Sequence, residues 1–138
     1  MPDTGYSATP LARKLGIEEG TRAALVGAPP GWSVPGLPAG ATVARRIRPG
    51  RSSHDVVIAF FRRRHKLERT VAELGDAVFP DGALWTAWPR RAGGHESDIT
   101  DHAVRAAALP LGLVDVKVAA LDEDWSAIKL VWRKERRR

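Results

Sequence analysis

The stretch from Asp55 to Pro89 constrains the fold of this chain more than any other part of the sequence. It opens with an unbroken apolar run at 56–61 and closes with a second, mostly apolar run at 83–88, and apolar residues recur at helical spacing over 67–78. A strand that is apolar on both faces must be covered on both faces, as a central strand of a parallel sheet is when helices flank it. The stretch therefore predicts a strand–helix–strand unit within an α/β domain.

Length and composition set the class of protein. A chain of 138 residues suits a single domain with a single core. It contains no Cys, so neither disulfides nor thiolate chemistry is available, which fits a reducing compartment. No apolar run approaches the roughly 18 residues that span a bilayer, and the first residues lack the basic and apolar regions of a secretory signal. We therefore expect a cytoplasmic protein with no membrane partner.

The ends of the chain are predicted to lie outside the folded unit. We expect a disordered N-terminus at 1–8, a single α/β domain at 9–133 and a basic tail at 134–138. Thr9 is the predicted N-cap of a first helix, with Pro10 at its first position, where the missing N–H of proline is harmless.

The remaining elements follow from alternation and turn residues. The segment 27–40 is rich in Pro and Gly and predicts a stiff loop where a doubly wound fold normally has a helix. Ser97 and Asp98 are candidate N-caps for a helix that stops or kinks at Pro110. Further strands are predicted at 22–26, 41–47, 114–118 and 126–132. A short acidic turn separates the last two strands, which indicates an antiparallel hairpin.

The residues Phe79-Pro80-Asp81-Gly82-Ala83-Leu84-Trp85 form a helix–turn–strand junction. This junction, followed by two strands that fold back, is similar to the second half of a class I methyltransferase domain. Right-handed crossovers place the strand at 22–26 beside the strand at 56–61, and that strand beside 83–88. The sequence thus predicts an abbreviated Rossmann-like, methyltransferase-like α/β fold. Its sheet is mostly parallel, of order 2-1-3-4-6-5, and the last strand of its C-terminal hairpin is antiparallel to the rest.

A second set of motifs covers nearly the whole chain after residue 8. These motifs are Leu15-Gly16, Asp55-Val56-Val57, Phe60-Phe61, Asp81-Gly82-Ala83-Leu84-Trp85, Trp88-Pro89-Arg90, Ser97-Asp98-Ile99, Gly112-Leu113 and Asp124-Trp125-Ser126. Together they resemble a small bacterial family of domains of unknown function. The resemblance implies the same α/β fold and carries no particular activity.

Ligands of open parallel sheets bind beyond the carboxyl ends of the strands. The arginines that follow the strands at 56–61 and 83–88 are Arg62, Arg63, Arg90 and Arg91. We expect these four side chains to act as anion clamps, because the guanidinium fork matches phosphate or carboxylate. The helix that opens near Arg64 is expected to add backbone N–H groups pointing the same way. The alternative interpretation is a solvated basic rim without a ligand.

Two glycines and a tryptophan complete the predicted pocket. Gly27 and Gly31 would let the backbone after the strand at 22–26 approach a ligand closely. Trp125 is either a wall of the pocket or a brace between the hairpin turn and the sheet end, and bracing is the favoured interpretation.

No catalytic constellation stands out in the sequence. A methyltransferase of the family named above would need a Gly-rich turn after its first strand and an acidic residue after the next, where this chain has Pro29-Pro30 and Arg45-Arg46. We therefore expect no cofactor, S-adenosylmethionine included. The cluster of His95, Glu96, Asp98, Asp101 and His102 is interpreted as a solvated helix start rather than a metal site.

The formal net charge of +6 is compatible with a polyanionic partner, although the arginines are spread over many segments. We expect a noncatalytic binding or regulatory module whose partner is a phosphate-bearing small molecule or a phosphopeptide. An enzyme with the methyltransferase-like fold is the alternative. Nonspecific nucleic-acid binding is a second and less favoured alternative, because no base-reading motif is present. It would use the basic tail with Arg45, Arg46, Arg48 and Arg51. The sequence leaves the ligand, any reaction and the oligomeric state open.

Overall fold

The computed structural model describes residues 10–137 of the chain. Over these residues the chain forms three α-helices and six strands, joined by loops and short 3₁₀ turns. The helices are α1 (Leu11–Leu15), α2 (Arg64–Ala77) and α3 (Asp101–Ala108). The strands are β1 (Arg22–Val26), β2 (Thr42–Ala44), β3 (Val56–Phe60), β4 (Ala83–Pro89), β5 (Leu113–Ala120) and β6 (Trp125–Trp132).

The six strands form one sheet of order β2-β1-β3-β4-β6-β5. The pairs β1–β2, β1–β3 and β3–β4 are parallel, whereas β6 is antiparallel to both of its neighbours, β4 and β5. The predicted fold class, the strand order and the reversed direction of the last strand are therefore confirmed.

Strand β3 lies at the centre of the core. All five of its residues are buried, as the unbroken apolar run predicts. On one face of the sheet, the buried side chains of β3 and β4 pack with those of α2 and α3. On the other face they pack with α1 and with residues of the segment 27–40, including Val34. The Pro- and Gly-rich segment thus covers the sheet without forming a helix.

Helix boundaries differ in part from the predictions. The residue before α1 is Pro10; the predicted N-cap Thr9 and the predicted disordered residues 1–8 lie outside the described residues. Helix α3 is capped by Thr100, whose side chain accepts a hydrogen bond from the backbone N–H of Ala103. Ser97 and Asp98 therefore do not cap α3, because that helix begins later than the capping pattern suggests.

The described part of the basic tail is exposed and forms a short turn beside the end of β6. Residues Lys134–Arg136 form a 3₁₀ turn, and Arg137 Nε donates a hydrogen bond of 2.9 Å to the carbonyl oxygen of Trp132. Among residues 10–137, no helix has the length and apolar character needed to cross a membrane.

Candidate functional site

The parallel strands β1, β3 and β4 end at the same edge of the sheet, which we call the carboxyl edge. Val26 of β1 pairs with Ala59 of β3, and Phe60 pairs with Ala87 of β4, so the three strands end close to one another. Loops that begin at Gly27, Phe61 and Arg90 therefore leave the sheet from neighbouring positions. This arrangement is the one in which ligands of open α/β sheets bind.

Two of the predicted arginines meet in one cleft at this edge. Arg63, before α2, and Arg91, after β4, line a cleft of about 500 Å³. Its other lining residues are His95, Glu96, Ser97 and Asp98, and we call it the carboxyl-edge cleft. Both arginines are exposed, and within residues 10–137 neither forms an ion pair with a carboxylate.

Asp98 occupies the N-terminus of α2. Its Oδ1 accepts a hydrogen bond of 2.8 Å from the backbone N–H of Arg64, and the carboxylate stands at the positive end of the helix dipole. The Arg64 side chain pairs with Glu68 at 3.0 Å. The Arg64 N–H is therefore satisfied by a carboxylate of the same chain, and anion binding by the arginine side chains stays a prediction.

The other two predicted arginines lie against the turn between β5 and β6. The guanidinium carbon of Arg62 lies 5.0 Å from the centroid of the Trp125 ring, a cation–π distance. Arg90 donates from its backbone N–H to the carbonyl of Asp124 and from Nη1 to the carbonyl of Asp122. The side chain of Arg90 therefore ties the end of β4 to the hairpin turn.

Trp125 is buried beside the end of β3. Its ring packs edge-to-face against Phe60, with centroids 5.0 Å apart, and its backbone N–H donates to Asp122 Oδ1. Only 6% of the residue is exposed. This packing supports the bracing interpretation of Trp125.

Gly27 and Gly31 both have a positive φ, of 71° and 79°. A Cβ on Gly27 would lie 2.9 Å from the carbonyl oxygen of Phe60, so the glycine is required by the close approach of β1 to the end of β3. The space beside Gly31 is open. Close approach of a ligand to these two residues stays a prediction.

Trp32 lies at this edge, in the segment 27–40 that the sequence predicts as a stiff loop, and it is not among the predicted site residues. Its ring packs edge-to-face on Phe60, with centroids 4.8 Å apart, and its Nε1 donates a 3.0 Å hydrogen bond to Asp122 Oδ2. Arg45 Nη1 donates to the Trp32 carbonyl at 3.0 Å. Trp32 therefore joins the segment after β1 to the β5–β6 turn across the end of β3.

A second cluster lies at the opposite edge, and none of its residues is among the predicted site residues. Arg22 binds Asp55 with its backbone N–H and Nε to Oδ2 and with Nη2 to Oδ1, at 2.8 to 3.3 Å. The hydrogen bond from the Arg22 side chain is the main reason why the pKa of Asp55 lies below its ordinary value. Beside this pair lies His54, which is 4% exposed.

The polar residues that cluster in sequence around His95 have separate partners in the structure. His95 Nε2 lies 2.9 Å from Asp124 Oδ1, Asp98 caps α2, and Asp101 pairs with Arg105 at 2.9 Å. Within residues 10–137, no three His, Asp or Glu side chains come together in a way that could hold a metal ion.

Comparison with known proteins identifies the fold but no family. No protein-family model matches the chain, and no curated protein sequence matches it. The solved structures that are similar to it include a SAM-dependent methyltransferase from Aquifex aeolicus, with 12% sequence identity and a TM-score of 0.61 over 87% of this chain and 86% of that one. The fibrillarin pre-rRNA processing protein of Methanococcus jannaschii is 12% identical, with a TM-score of 0.56 over 93% and 70% of the two chains.

A Streptococcus agalactiae protein of the NADB-Rossmann superfamily is similar as well, at 11% identity, with a TM-score of 0.55 over 91% of this chain and 69% of that one. Identities this low show the fold alone. The chain has a Rossmann-like fold of the methyltransferase type.

Proposed function

We propose that this protein is a noncatalytic binding module whose carboxyl-edge cleft holds the phosphate group of a small molecule or a phosphopeptide. The observation that carries the proposal is the pair Arg63 and Arg91, which line one cleft and have no carboxylate partner within residues 10–137. By contrast, the side chains of Arg22, Arg64 and Arg105 are all paired with carboxylates.

The chemistry of the pair suits a tetrahedral anion. Each guanidinium presents a planar fork of N–H donors, and two forks that approach a phosphate from different loops bind several of its oxygens. Asp98 and Glu96 line the same cleft and oppose an anion. The negative charge of Asp98 is partly offset, because its Oδ1 accepts from the α2 N-terminus. Arg62 and Arg90 add positive charge on the side of the hairpin turn.

Two features oppose the binding of a methyltransferase cofactor after β1. The turn after β1 contains Pro29 and Pro30, which have no backbone N–H to offer to a cofactor. Trp32 lies at the end of β3, held by Phe60 and Asp122, in the region that the turn after β1 would have to leave open for a cofactor.

Isothermal titration calorimetry with inorganic phosphate, ATP and citrate tests the proposal. We expect wild-type protein to bind at least one of the phosphate-bearing ligands, and we expect Arg63→Ala/Arg91→Ala to weaken that binding by at least about tenfold, or about 1.4 kcal/mol. The control is Arg46→Ala/Arg69→Ala, which removes the same charge from exposed positions outside the cleft. An equal loss of affinity in both double variants would show that the loss comes from net charge and not from the cleft. No heat with any ligand at millimolar concentration would refute the proposal.

The second candidate is an enzyme with the methyltransferase-like fold. The observation that favours it is the likeness to the Aquifex aeolicus methyltransferase over most of both chains. S-adenosylmethionine binding, measured by the same calorimetry, separates the two candidates. The binding module predicts no heat with S-adenosylmethionine, whereas saturable binding that survives Arg63→Ala/Arg91→Ala would favour the enzyme.

We also propose that the chain is a member of the small bacterial family that its motifs resemble, and that it works in the cytoplasm. The spread of the motifs from Leu15 to Ser126 supports membership, and the absence of Cys from the sequence fits a reducing compartment.

A further inference from the structure

A second cleft lies at the amino end of β1 and along β2, away from the carboxyl-edge cleft. It has a volume of about 300 Å³, and the turn that precedes β3 closes one side of it. Its lining residues are Arg22, Ala23, Thr42, Val43, Ala44, Arg48, Ser53 and His54, and we call it the amino-edge cleft.

His54 carries the first observation. Its Nε2 accepts a 3.0 Å hydrogen bond from the backbone N–H of Arg48. A backbone N–H only donates, so Nε2 is the acceptor nitrogen and the neutral ring carries its proton on Nδ1. That Nδ1 is buried and has no hydrogen-bond partner within residues 10–137. A buried N–H without an acceptor is costly and rare in folded proteins. A ligand oxygen that accepts from the Nδ1–H of His54 would remove this cost.

The second observation is the charge around this donor. The Arg48 guanidinium is exposed and has no partner within the part of the chain that the structure describes. Arg22 uses Nε and Nη2 for Asp55 and keeps Nη1 unengaged among the same residues. Asp55 is the nearby negative charge, and Arg22 neutralises it. Burial, with the charges of Arg48 and Arg22, lowers the pKa of His54 and favours the neutral ring.

We propose that the amino-edge cleft is a binding site for a small oxyanion, a phosphate or a carboxylate, held by the Arg48 guanidinium and the Nδ1–H of His54. The hydroxyl of Thr42, which lines the same cleft, is a further donor. The site shares no residue with the carboxyl-edge cleft and does not depend on the function proposed for it.

NMR spectroscopy of the full chain tests the site directly. Inorganic phosphate is titrated while the ring nitrogens of His54 are observed, and a parallel titration uses acetate. We expect a saturable shift of His54 Nδ1 with an affinity in the millimolar range or tighter, about 4 kcal/mol or more. A shift with phosphate alone assigns the site to phosphate-type anions, and a shift with acetate alone assigns it to carboxylates.

Three variants separate this site from general charge effects. Arg48→Ala removes the guanidinium but keeps the backbone N–H that binds His54, and we expect at least about a tenfold loss of affinity. His54→Gln keeps a side-chain acceptor for the Arg48 N–H and removes the Nδ1 donor, so calorimetry with it is expected to show a similar loss. Arg63→Ala/Arg91→Ala is expected to leave the His54 shift unchanged.

An ordered water on Nδ1 is the competing explanation for the buried donor. In that case His54 shows no saturable shift with either anion up to about 50 mM, well above a millimolar dissociation constant. That result overturns the proposal, as does a shift that is undiminished in Arg48→Ala.

Discussion

Trp32 and Asp122 lie 90 residues apart in the sequence and meet at the carboxyl edge, where the indole Nε1 donates a 3.0 Å hydrogen bond to Asp122 Oδ2. The other carboxylate oxygen, Oδ1, accepts from the backbone N–H groups of Asp124 and Trp125. Phe60 lies between the two tryptophan rings. One carboxylate therefore joins the segment after β1 to the hairpin turn and fixes the end of β3 between them.

The Trp32–Asp122 bond predicts coupled changes in stability. Trp32→Phe removes the Nε1 donor, and Asp122→Asn keeps an oxygen for the turn while it removes the charge that accepts from the indole. We expect each variant to lower the free energy of unfolding by about 1 kcal/mol, because each breaks a hydrogen bond to a charged group. Urea denaturation of both variants and of the double variant measures the coupling. Strict additivity of the two losses would show that the bond contributes nothing.

Replacing the buried hydroxyl of Thr86 is expected to increase the stability of the fold. It is fully buried in β4, and its Oγ1 has no hydrogen-bond partner within residues 10–137. Thr86→Val replaces the hydroxyl by a methyl group of nearly the same size, so we expect stabilisation by about 1 kcal/mol. Thr86→Ser is the matched control, because it keeps the hydroxyl and removes a buried methyl, and it is expected to destabilise by about 1 kcal/mol. Thermal and urea unfolding give both values, and a less stable Thr86→Val would indicate that the hydroxyl is satisfied.

His54 predicts a pH dependence of stability. Burial is the main reason that its pKa lies below the ordinary value of 6.5, and the charges of Arg48 and Arg22 add to the effect. The folded pKa is thus lower than the unfolded pKa, so the unfolded chain takes up the proton first as the pH falls. The contribution of neutral His54 to the free energy of unfolding is therefore complete above about pH 6.5. It is lost progressively as the pH falls below that value, because the unfolded state binds the proton more tightly.

Unfolding free energies measured from about pH 7.5 to about pH 5, in buffers free of phosphate and carboxylates, check this prediction. We expect a smaller decline in His54→Gln than in wild type. Asp55 does not interfere in this range, because Arg22 lowers the pKa of its carboxyl and its contribution is lost only below about pH 4. The same decline in both proteins would assign the effect to another group.

Asp98 predicts a variant with stronger anion binding. Asp98→Asn keeps an oxygen that accepts from the Arg64 N–H and removes a negative charge from the lining of the carboxyl-edge cleft. We expect phosphate to bind about two- to fivefold more tightly. The variant removes the repulsion between the Asp98 carboxylate and the phosphate, which solvent weakens over a separation of several ångströms. Asp101→Asn, which changes the net charge equally outside the cleft, serves as the calorimetric control. Unchanged affinity in Asp98→Asn would place the phosphate away from this cleft.

The sequence patterns predicted the fold because its determinants are local or topological. The apolar run at 56–61 requires burial on both faces, and chain order with right-handed crossovers then fixes the parallel part of the sheet. Strand β2 is shorter than predicted, Thr42–Ala44 instead of 41–47, since only three of its residues pair with β1. An edge strand with one partner is defined by that pairing as much as by its own alternation.

The partners of individual side chains in the site are less accessible to sequence reasoning. A capping pattern describes only the helix that follows it, so it assigned Asp98 to α3, whereas the fold places Asp98 at α2, 34 residues from Arg64. The Trp32–Asp122 bond and the buried Nδ1 of His54 likewise depend on contacts between distant segments. Strand order predicted which loops reach the carboxyl edge, and only the packed structure separates Arg63 and Arg91 from Arg62 and Arg90.

A crystal structure of the protein grown with saturating phosphate tests the central claim most directly. The binding module predicts an ordered tetrahedral anion with oxygens about 3 Å from the guanidinium nitrogens of both Arg63 and Arg91, and with no contact to a neighbouring molecule. Ordered side chains of Arg63 and Arg91 with no anion between them, or a phosphate bound by only one of the two, would contradict it.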